Sequence, residues 1–335
     1  MNRPRIAVDA MGGDRAPEEI VAGALLAARE CDAEIILTGD EARVKPLLVG
    51  PGSELVTLRH APETVPMDQH ASAALRSADR TSLGIAVNLV KIGEADAVVS
   101  AGNSGAFLAI ALIKLRTIEG IARPAIATIW PGLGGSTVLL DSGANVDCRP
   151  EWLEQFGIMG AAYAKAVLKV ENPRVAVLSV GEERSKGDQL TLEAAKLLDA
   201  APLNFIGNVE GKDLFHNAAD VVVCDGFVGN IVLKTCEGMI ADLTTVIKET
   251  LLSGNLITKI GTGMLAPSLR SLRKRFDYES IGGAPLLGLR GNCIVTHGRA
   301  TRNAIRYAIH VAIKEAQEDV VERITEMIAP HMAKT

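Results

Sequence analysis

Four apolar runs in this chain each stop at a glycine-rich polar loop, and helix-like sequence follows every one. The loops are Asp9–Asp14 (DAMGGD), Ser100–Ala106 (SAGNSGA), Val180–Gly187 (VGEERSKG) and Cys224–Asn230 (CDGFVGN). A buried parallel strand handing over to a helix has this form. In an open α/β sheet such loops gather at the carboxyl ends of the strands, where ligands bind. Glycine lets the backbone approach closely, and unpaired N–H groups at helix N-termini attract anions. The loops point to an enzyme that handles a phosphate or carboxylate group.

The rest of the pattern agrees. Candidate strands are Arg5–Ala10, Glu34–Thr38, Glu54–Leu58, Asp96–Ser100, Ala125–Ile129, Thr137–Asp141, Arg174–Val180, Asp220–Cys224 and Cys293–His297. Several are continuous apolar runs, as strands covered on both faces should be. Helical patterns fill the gaps at Pro17–Glu30, Ala71–Gly93, Glu151–Val170, Gln189–Ala200, Val228–Leu252 and Ala300–Ile328. Pro17 reads as an N1 proline with Glu18 and Glu19 behind it, where the helix dipole favours acids, and Pro150–Glu151 repeats the device. The core implied by 48% hydrophobic but only 3% aromatic residues is Ala, Val, Ile and Leu, as for helices packed on a parallel sheet. The alternation argues a doubly wound α/β fold. With no linker, repeat or low-complexity segment, residues 1–335 read as one domain.

A net charge of −5 gives no support to nucleic-acid binding. The first ten residues do not resemble a signal peptide, and the longest uncharged stretches fall short of a membrane span. Five scattered cysteines without a CxxC pair fit a reduced cytosol and argue against structural zinc.

The chain has no GxxxxGK[ST], and DAMGGD is not a GxGxxG. SAGNSGA is the best anion cradle: Gly102 and Gly105 free the backbone, and Asn103 and Ser104 add donors. A tight βα turn packed on a neighbour is the equal alternative. Lys186 in VGEERSKG suits a phosphate or oxyanion, or else is a solvated lysine paired with Glu182 or Glu183. In CDGFVGN, Asp225 and Asn230 flank the turn and Lys234 follows, although Asp225 also fits a helix cap. Cys224 reads as a small buried hydrophobe rather than a nucleophile. His70 and His297 sit near turns as donors or as structural hydrogen-bonders. Asp141, Asn145 and Asp147 make too weak a cluster for a metal.

Together the segments VDAMGGDRAP, HASAALR, ADAVVSAGNSGAFLA, IARPAIA, LLDSGANVDCRPE, VGEERSKG, GNVEGKDL, VCDGFVGNIVLKTCEG, GGAPLLGLRG and THGRATRNAI resemble the PlsX family of phosphate acyltransferases. They run in order over nearly the whole chain. Two departures are Ile281, where the family has an aromatic, and Ser104, where threonine is usual.

The resemblance implies a three-layer α/β/α sandwich with a mostly parallel sheet, similar to isocitrate and isopropylmalate dehydrogenases and phosphotransacetylases. It implies an enzyme converting long-chain acyl-carrier protein and inorganic phosphate to acyl-phosphate for phospholipid synthesis, without cofactor or metal. Further expectations are a cytoplasmic homodimer, peripheral contact with an anionic membrane, and a downstream glycerol-phosphate acyltransferase. Lys186 and Asn230 become the catalytic candidates. Asp9, Gly12, Gly13, Asn103, Ser104, Gly105, Asp225 and Gly226 form the substrate- and phosphate-binding set. Competing readings are a phosphotransacetylase on a short acyl-CoA, an NAD-dependent decarboxylating dehydrogenase, and a non-catalytic carrier-binding scaffold. Residues 250–276 read as a protruding amphipathic segment, where Leu265, Leu269, Leu272 and Phe276 share a helical face. Leu269, Arg270, Leu272, Arg273 and Lys274 are its carrier or membrane contacts, with dimer packing as the alternative.

Overall fold

Continuous apolar strands require cover on both faces, and the computed structural model supplies it twice. It describes residues 3–253, 261–265, 267–268 and 283–332. Its strands are β1 Arg5–Asp9, β2 Glu34–Gly39, β3 Val56–His60, β4 Ala97–Ser100, β5 Ala125–Ile126, β6 Thr128–Pro131, β7 Ser136–Leu140, β8 Arg174–Leu178, β9 Asn204–Val209, β10 Val221–Val223, β11 Ala284–Leu287 and β12 Asn292–Val295. Its helices are α1 Glu18–Glu30, α2 Glu41–Val44, α3 Ala71–Ser77, α4 Ser82–Lys91, α5 Ser104–Leu115, α6 Pro150–Val167, α7 Gln189–Ala200, α8 Gly226–Ser253, α9 Arg302–Gln317 and α10 Val320–Met332.

The strands form two sheets, ordered β3-β2-β1-β4-β12-β11-β5 and β6-β7-β10-β8-β9. Only β11 in the first and β6 in the second run antiparallel to their neighbours. In the first sheet Ile6 and Val8 pack with α1 and α9, whereas Ala7 between them packs with α4 and α5. In the second, Val221 and Val223 face α6, α7 and α10, whereas Val222 faces the side of Val232 and Leu233 on α8. Each sheet is therefore the middle of three layers, the α/β/α arrangement expected.

Departures from the sequence reading have local causes. The helix read over Ala71–Gly93 is two, α3 and α4. Thr81 caps the second by accepting from Gly84 N at 3.2 Å, and a Cβ on Gly84 would lie 1.7 Å from Ala78 O. Helix α5, expected only as helix-like sequence after the SAGNSGA loop, had no bounds assigned because AFLAIALI is apolar on every face and has no 3.6-residue period. The strand read over Ala125–Ile129 is divided: β5 joins the first sheet and β6 the second, with Ala127 between them. Strands β9 and β11 were not read at all. The terminal helix is broken at Asp319, whose φ is 51°. Among the described residues no helix is long and apolar enough to cross a membrane. The expected contacts Leu269, Arg270, Leu272, Arg273 and Lys274 lie outside the described residues, as do most of residues 250–276.

Candidate active site

The parallel strands bring the four glycine loops to the carboxyl ends of the two sheets. At the end of β1, Asp9 is 2% exposed. It accepts a hydrogen bond from Ser100 Oγ at 2.8 Å and from Met11 N at 3.2 Å, and Ser100 Oγ accepts from Gly102 N at 3.0 Å. Burial raises the Asp9 carboxyl above the ordinary carboxylate range, against bonds from Ser82 and Ser100 that favour the ionised form. A Cβ on Gly12 would lie 2.4 Å from Asp9 Oδ2 and 2.8 Å from Gly102 N. Gly13 holds a φ of 108°, and Asp14 N donates to Gly298 O at 2.7 Å. Asp9, Gly12 and Gly13 therefore stitch loops 9–14, 100–106 and 297–299 together. The same residues were read as a phosphate cradle.

Asn103 is also committed. Its Oδ1 accepts from Ala106 N at 3.0 Å as the cap of α5, and its Nδ2 donates to the carbonyls of Met67 at 2.9 Å and Gln69 at 2.8 Å. Ser104 and Gly105, in the first turn of α5, are exposed.

On the second sheet, Asp225 takes the role of helix cap. Oδ1 accepts from Phe227 N at 2.8 Å and Oδ2 from Cys148 N at 2.7 Å. The start of α8 lies against the 141–145 turn so closely that a Cβ on Gly226 would be 2.1 Å from Asn145 O, and one on Gly229 1.9 Å from Asp141 O. Asp141, fully buried, takes five N–H groups: Ile126, Gly143, Ala144 and Asn145 from the backbone and the Asn145 amide. Burial drives the Cys224 thiol well above its usual range and pushes Cys148 up to about 12, so neither is a ready thiolate.

One cleft of about 450 Å³ opens between the two sets of loops. Ser104 comes from the first sheet's α5. Ile126, Thr128 and Trp130 come from β5 and β6, and Ser142 and Gly143 from the turn after β7. Helix α8 presents Asn230, Leu233, Lys234 and Glu237, and the end of β12 presents Thr296, His297 and Arg299. The cleft thus joins an apolar wall to a polar, cationic rim. Lys234 Nζ is paired with Glu237 at 2.8 Å, whereas the Arg299 guanidinium is 82% exposed with Asp14 Oδ2 3.9 Å away. Thr128 Oγ1 and Trp130 Nε1 are buried without a hydrogen-bond partner among the described residues.

Of the residues read from sequence, Ser104, Asn230, Lys234 and His297 reach the described walls of this cleft. Asp9, Gly12, Gly13, Asn103, Gly105, Asp225 and Gly226 do not. Lys186 stands on the loop after β8, next to β10 in the sheet. Asn208 on β9 organises that loop by donating to the carbonyls of Glu183 at 2.9 Å and Lys186 at 3.1 Å. The Lys186 side chain is exposed, outside the described cleft walls. It has no ion pair among the described residues, since Glu182 pairs with Lys212. Sequence reasoning missed Thr128, Trp130 and Arg299. The available signal was the HGR that follows β12, a fifth strand end with turn chemistry.

The fold matches solved structures closely enough to fix its class. A phosphotransacetylase from Streptococcus pyogenes aligns over 95% of this chain and 94% of its own, with TM-score 0.62 at 18% identity. A branched-chain phosphotransacylase from Enterococcus faecalis V583 aligns over 93% and 99%, with TM-score 0.56 at 14% identity. Sequence likeness is much stronger. A phosphate acyltransferase of Thermodesulfovibrio yellowstonii is 48% identical over 327 residues, 97% of this chain and 94% of that one. Another, from Pelotomaculum thermopropionicum, is 49% identical over 325 residues, 97% of this chain and 95% of its own. Fold, cleft and relatives define an acyltransferase built on an α/β/α sandwich. The family described as "Fatty acid synthesis protein" matches residues 4–323. The chain belongs to that family, the PlsX phosphate acyltransferases.

Proposed function

We propose that the chain transfers a long-chain acyl group from acyl-carrier protein to inorganic phosphate, giving acyl-phosphate and free carrier protein for phospholipid synthesis. The observation that carries this reading is the mixed cleft, with an apolar wall for an acyl-pantetheine arm beside a rim of donors and cations for phosphate. A phosphate oxygen attacks the thioester carbonyl, a C–O bond forms, and the C–S bond breaks as the tetrahedral intermediate collapses. The thiolate leaves and takes a proton from solvent. Phosphate near neutral pH is already substantially dianionic, because a phosphate's second pKa is around 6 to 7. A thiol with a pKa of about 8.5 is a good leaving group. The protein's task is to position the two substrates and to stabilise the oxyanion.

Asn230 and Ser104 line the cleft and serve this reading as donors, and the exposed Lys186 of the loop after β8 serves it as the cation. Direct attack needs no acyl-cysteine, which accords with the buried Cys224. Exposed Met239, Leu243, Val246 and Ile247 on α8 support pairing with a second copy of the chain, measurable by sedimentation. Membrane and downstream-enzyme contacts belong to the same reading, and salt-sensitive binding to anionic vesicles tests the first. The function itself is tested by incubating the chain with palmitoyl-carrier protein with and without phosphate. Phosphate-dependent acyl-phosphate supports it, and palmitoyl-carrier protein left intact at all phosphate concentrations refutes it. Equal or greater turnover with acetyl-CoA would point to a short-chain phosphotransacetylase instead.

A further inference from the structure

Backbone hydrogen bonds hold the turn after β12. Thr296 N donates to Ser100 O at 3.0 Å, Asp14 N to Gly298 O at 2.7 Å, and Ala300 N to His297 O at 2.8 Å. A Cβ on Gly298 would meet the flexible end of Met67, Cε, at 2.6 Å. Within it, Arg299 N donates to His297 Nδ1 at 3.2 Å. A ring nitrogen that accepts carries no proton, so neutral His297 bears its hydrogen on Nε2 and is a donor there.

Arg299 adds charge. Its guanidinium is 82% exposed, and the closest carboxylate oxygen, on Asp14, is 3.9 Å from Nε, at the outer limit of an ion pair. Lys234 on the facing wall is already neutralised by Glu237 at 2.8 Å. Among the described residues lining the cleft, Arg299 is therefore the cation whose planar fork remains open. A fork of this kind matches two oxygens of one phosphoryl group.

We propose that the His297–Gly298–Arg299 turn is the phosphoryl-oxygen subsite of the cleft, with the Arg299 fork and His297 Nε2–H as its donors. The inference rests on the proposed acyl transfer but locates a contact which that reading leaves open. Two sources share the chemistry: inorganic phosphate, and the phosphodiester that joins a pantetheine arm to its carrier.

The test uses the full chain and its Arg299→Met, Arg299→Lys and His297→Gln variants, each checked for an unchanged melting transition. Calorimetric titration with inorganic phosphate, and with 4′-phosphopantetheine against pantetheine, reads binding without relying on turnover. In Arg299→Met we expect at least about tenfold weaker binding of one phosphoryl probe, partly restored in Arg299→Lys, with a smaller loss in His297→Gln. Weakening confined to inorganic phosphate assigns the turn to the nucleophile. Loss of the preference for 4′-phosphopantetheine over pantetheine assigns it to the carrier's phosphodiester. Both results support the subsite, even for a protein that makes no acyl-phosphate. Affinities for both probes within twofold of wild type in Arg299→Met, or no binding of either probe by wild type, overturn it.

Discussion

Thr128 and Trp130 face the same side of β6, and each carries a buried polar atom with no partner among the described residues. An unsatisfied buried hydroxyl costs about 1–3 kcal/mol, so a side chain of similar shape without it should not weaken the fold. Thr128→Val is expected to leave the urea midpoint unchanged or raise it by up to about 1 kcal/mol of stability. If the hydroxyl serves a pantetheine amide, the KM for acyl-carrier protein should rise severalfold in the same variant. Unchanged KM together with raised stability would show the hydroxyl to be a plain packing defect. Lys186 tests the other side of the site. Its exposed ammonium has no ion pair among the described residues, and loss of one transition-state contact should lower turnover of Lys186→Ala at least about tenfold. Near-normal turnover in the folded variant would remove it from the mechanism. Asn230→Ala should behave likewise, since its carboxamide lies on the cleft wall.

The start of helix α8 is seated by the close approach of Gly226 and Gly229 to the 141–145 turn. Gly→Ala inside a helix ordinarily stabilises by about 1 kcal/mol. At Gly229 the new methyl would lie 1.9 Å from Asp141 O, so the steric term wins. Gly229→Ala should lose roughly 1–3 kcal/mol in chemical denaturation. It should lose activity as well, because Asn230 and the Asp141 turn move with the helix. Denaturation like wild type would mean that the helix start can yield. Strands such as β1, β4 and β10 were legible because both faces are buried and the apolar run cannot be anything else of that length. The bounds and buried face of helix α5 were not, because an apolar sequence without period carries no orientation. The glycine loops were legible as close backbone approaches. Whether the approaching group was a ligand or another loop was not, since glycine at position 12, 226 or 229 reads the same in either case. Asn230 and Ser104 reach the cleft because they stand one step beyond the tight packing, on exposed helical turns. Arg299 went unread because its position depends on β12 slotting beside β4, a pairing that no local pattern announces.

At the scale of the whole molecule, one buried electrostatic cost lies away from the cleft. Glu315 on α9 is 1% exposed, its Oε1 has no partner among the described residues, and burial raises its carboxyl well above the ordinary range. The folded chain then keeps a proton that the unfolded chain releases above about pH 4.3. The unfolded state binds fewer protons, so this group's contribution to stability declines as pH rises from that point through the raised folded value. Glu315→Gln should remove the decline and stabilise the fold at neutral pH by on the order of 1 kcal/mol. Melting curves of both proteins between pH 4.5 and 8 measure it, and parallel pH profiles would exclude Glu315 as the source.

The insertion of β12 between β4 and β11 also sets an order of events during synthesis. Asn292 Nδ2 bonds Asp96 O across 196 positions of chain. At about 5–20 residues per second, a ribosome needs roughly 10–40 s to supply the partner that Ala97–Ser100 awaits. For that interval the first four strands present an apolar, unpaired edge, the form most prone to wrong pairing. A nascent chain halted before Asn292 should therefore be held by chaperones or aggregate, and release beyond Val295 should close the edge.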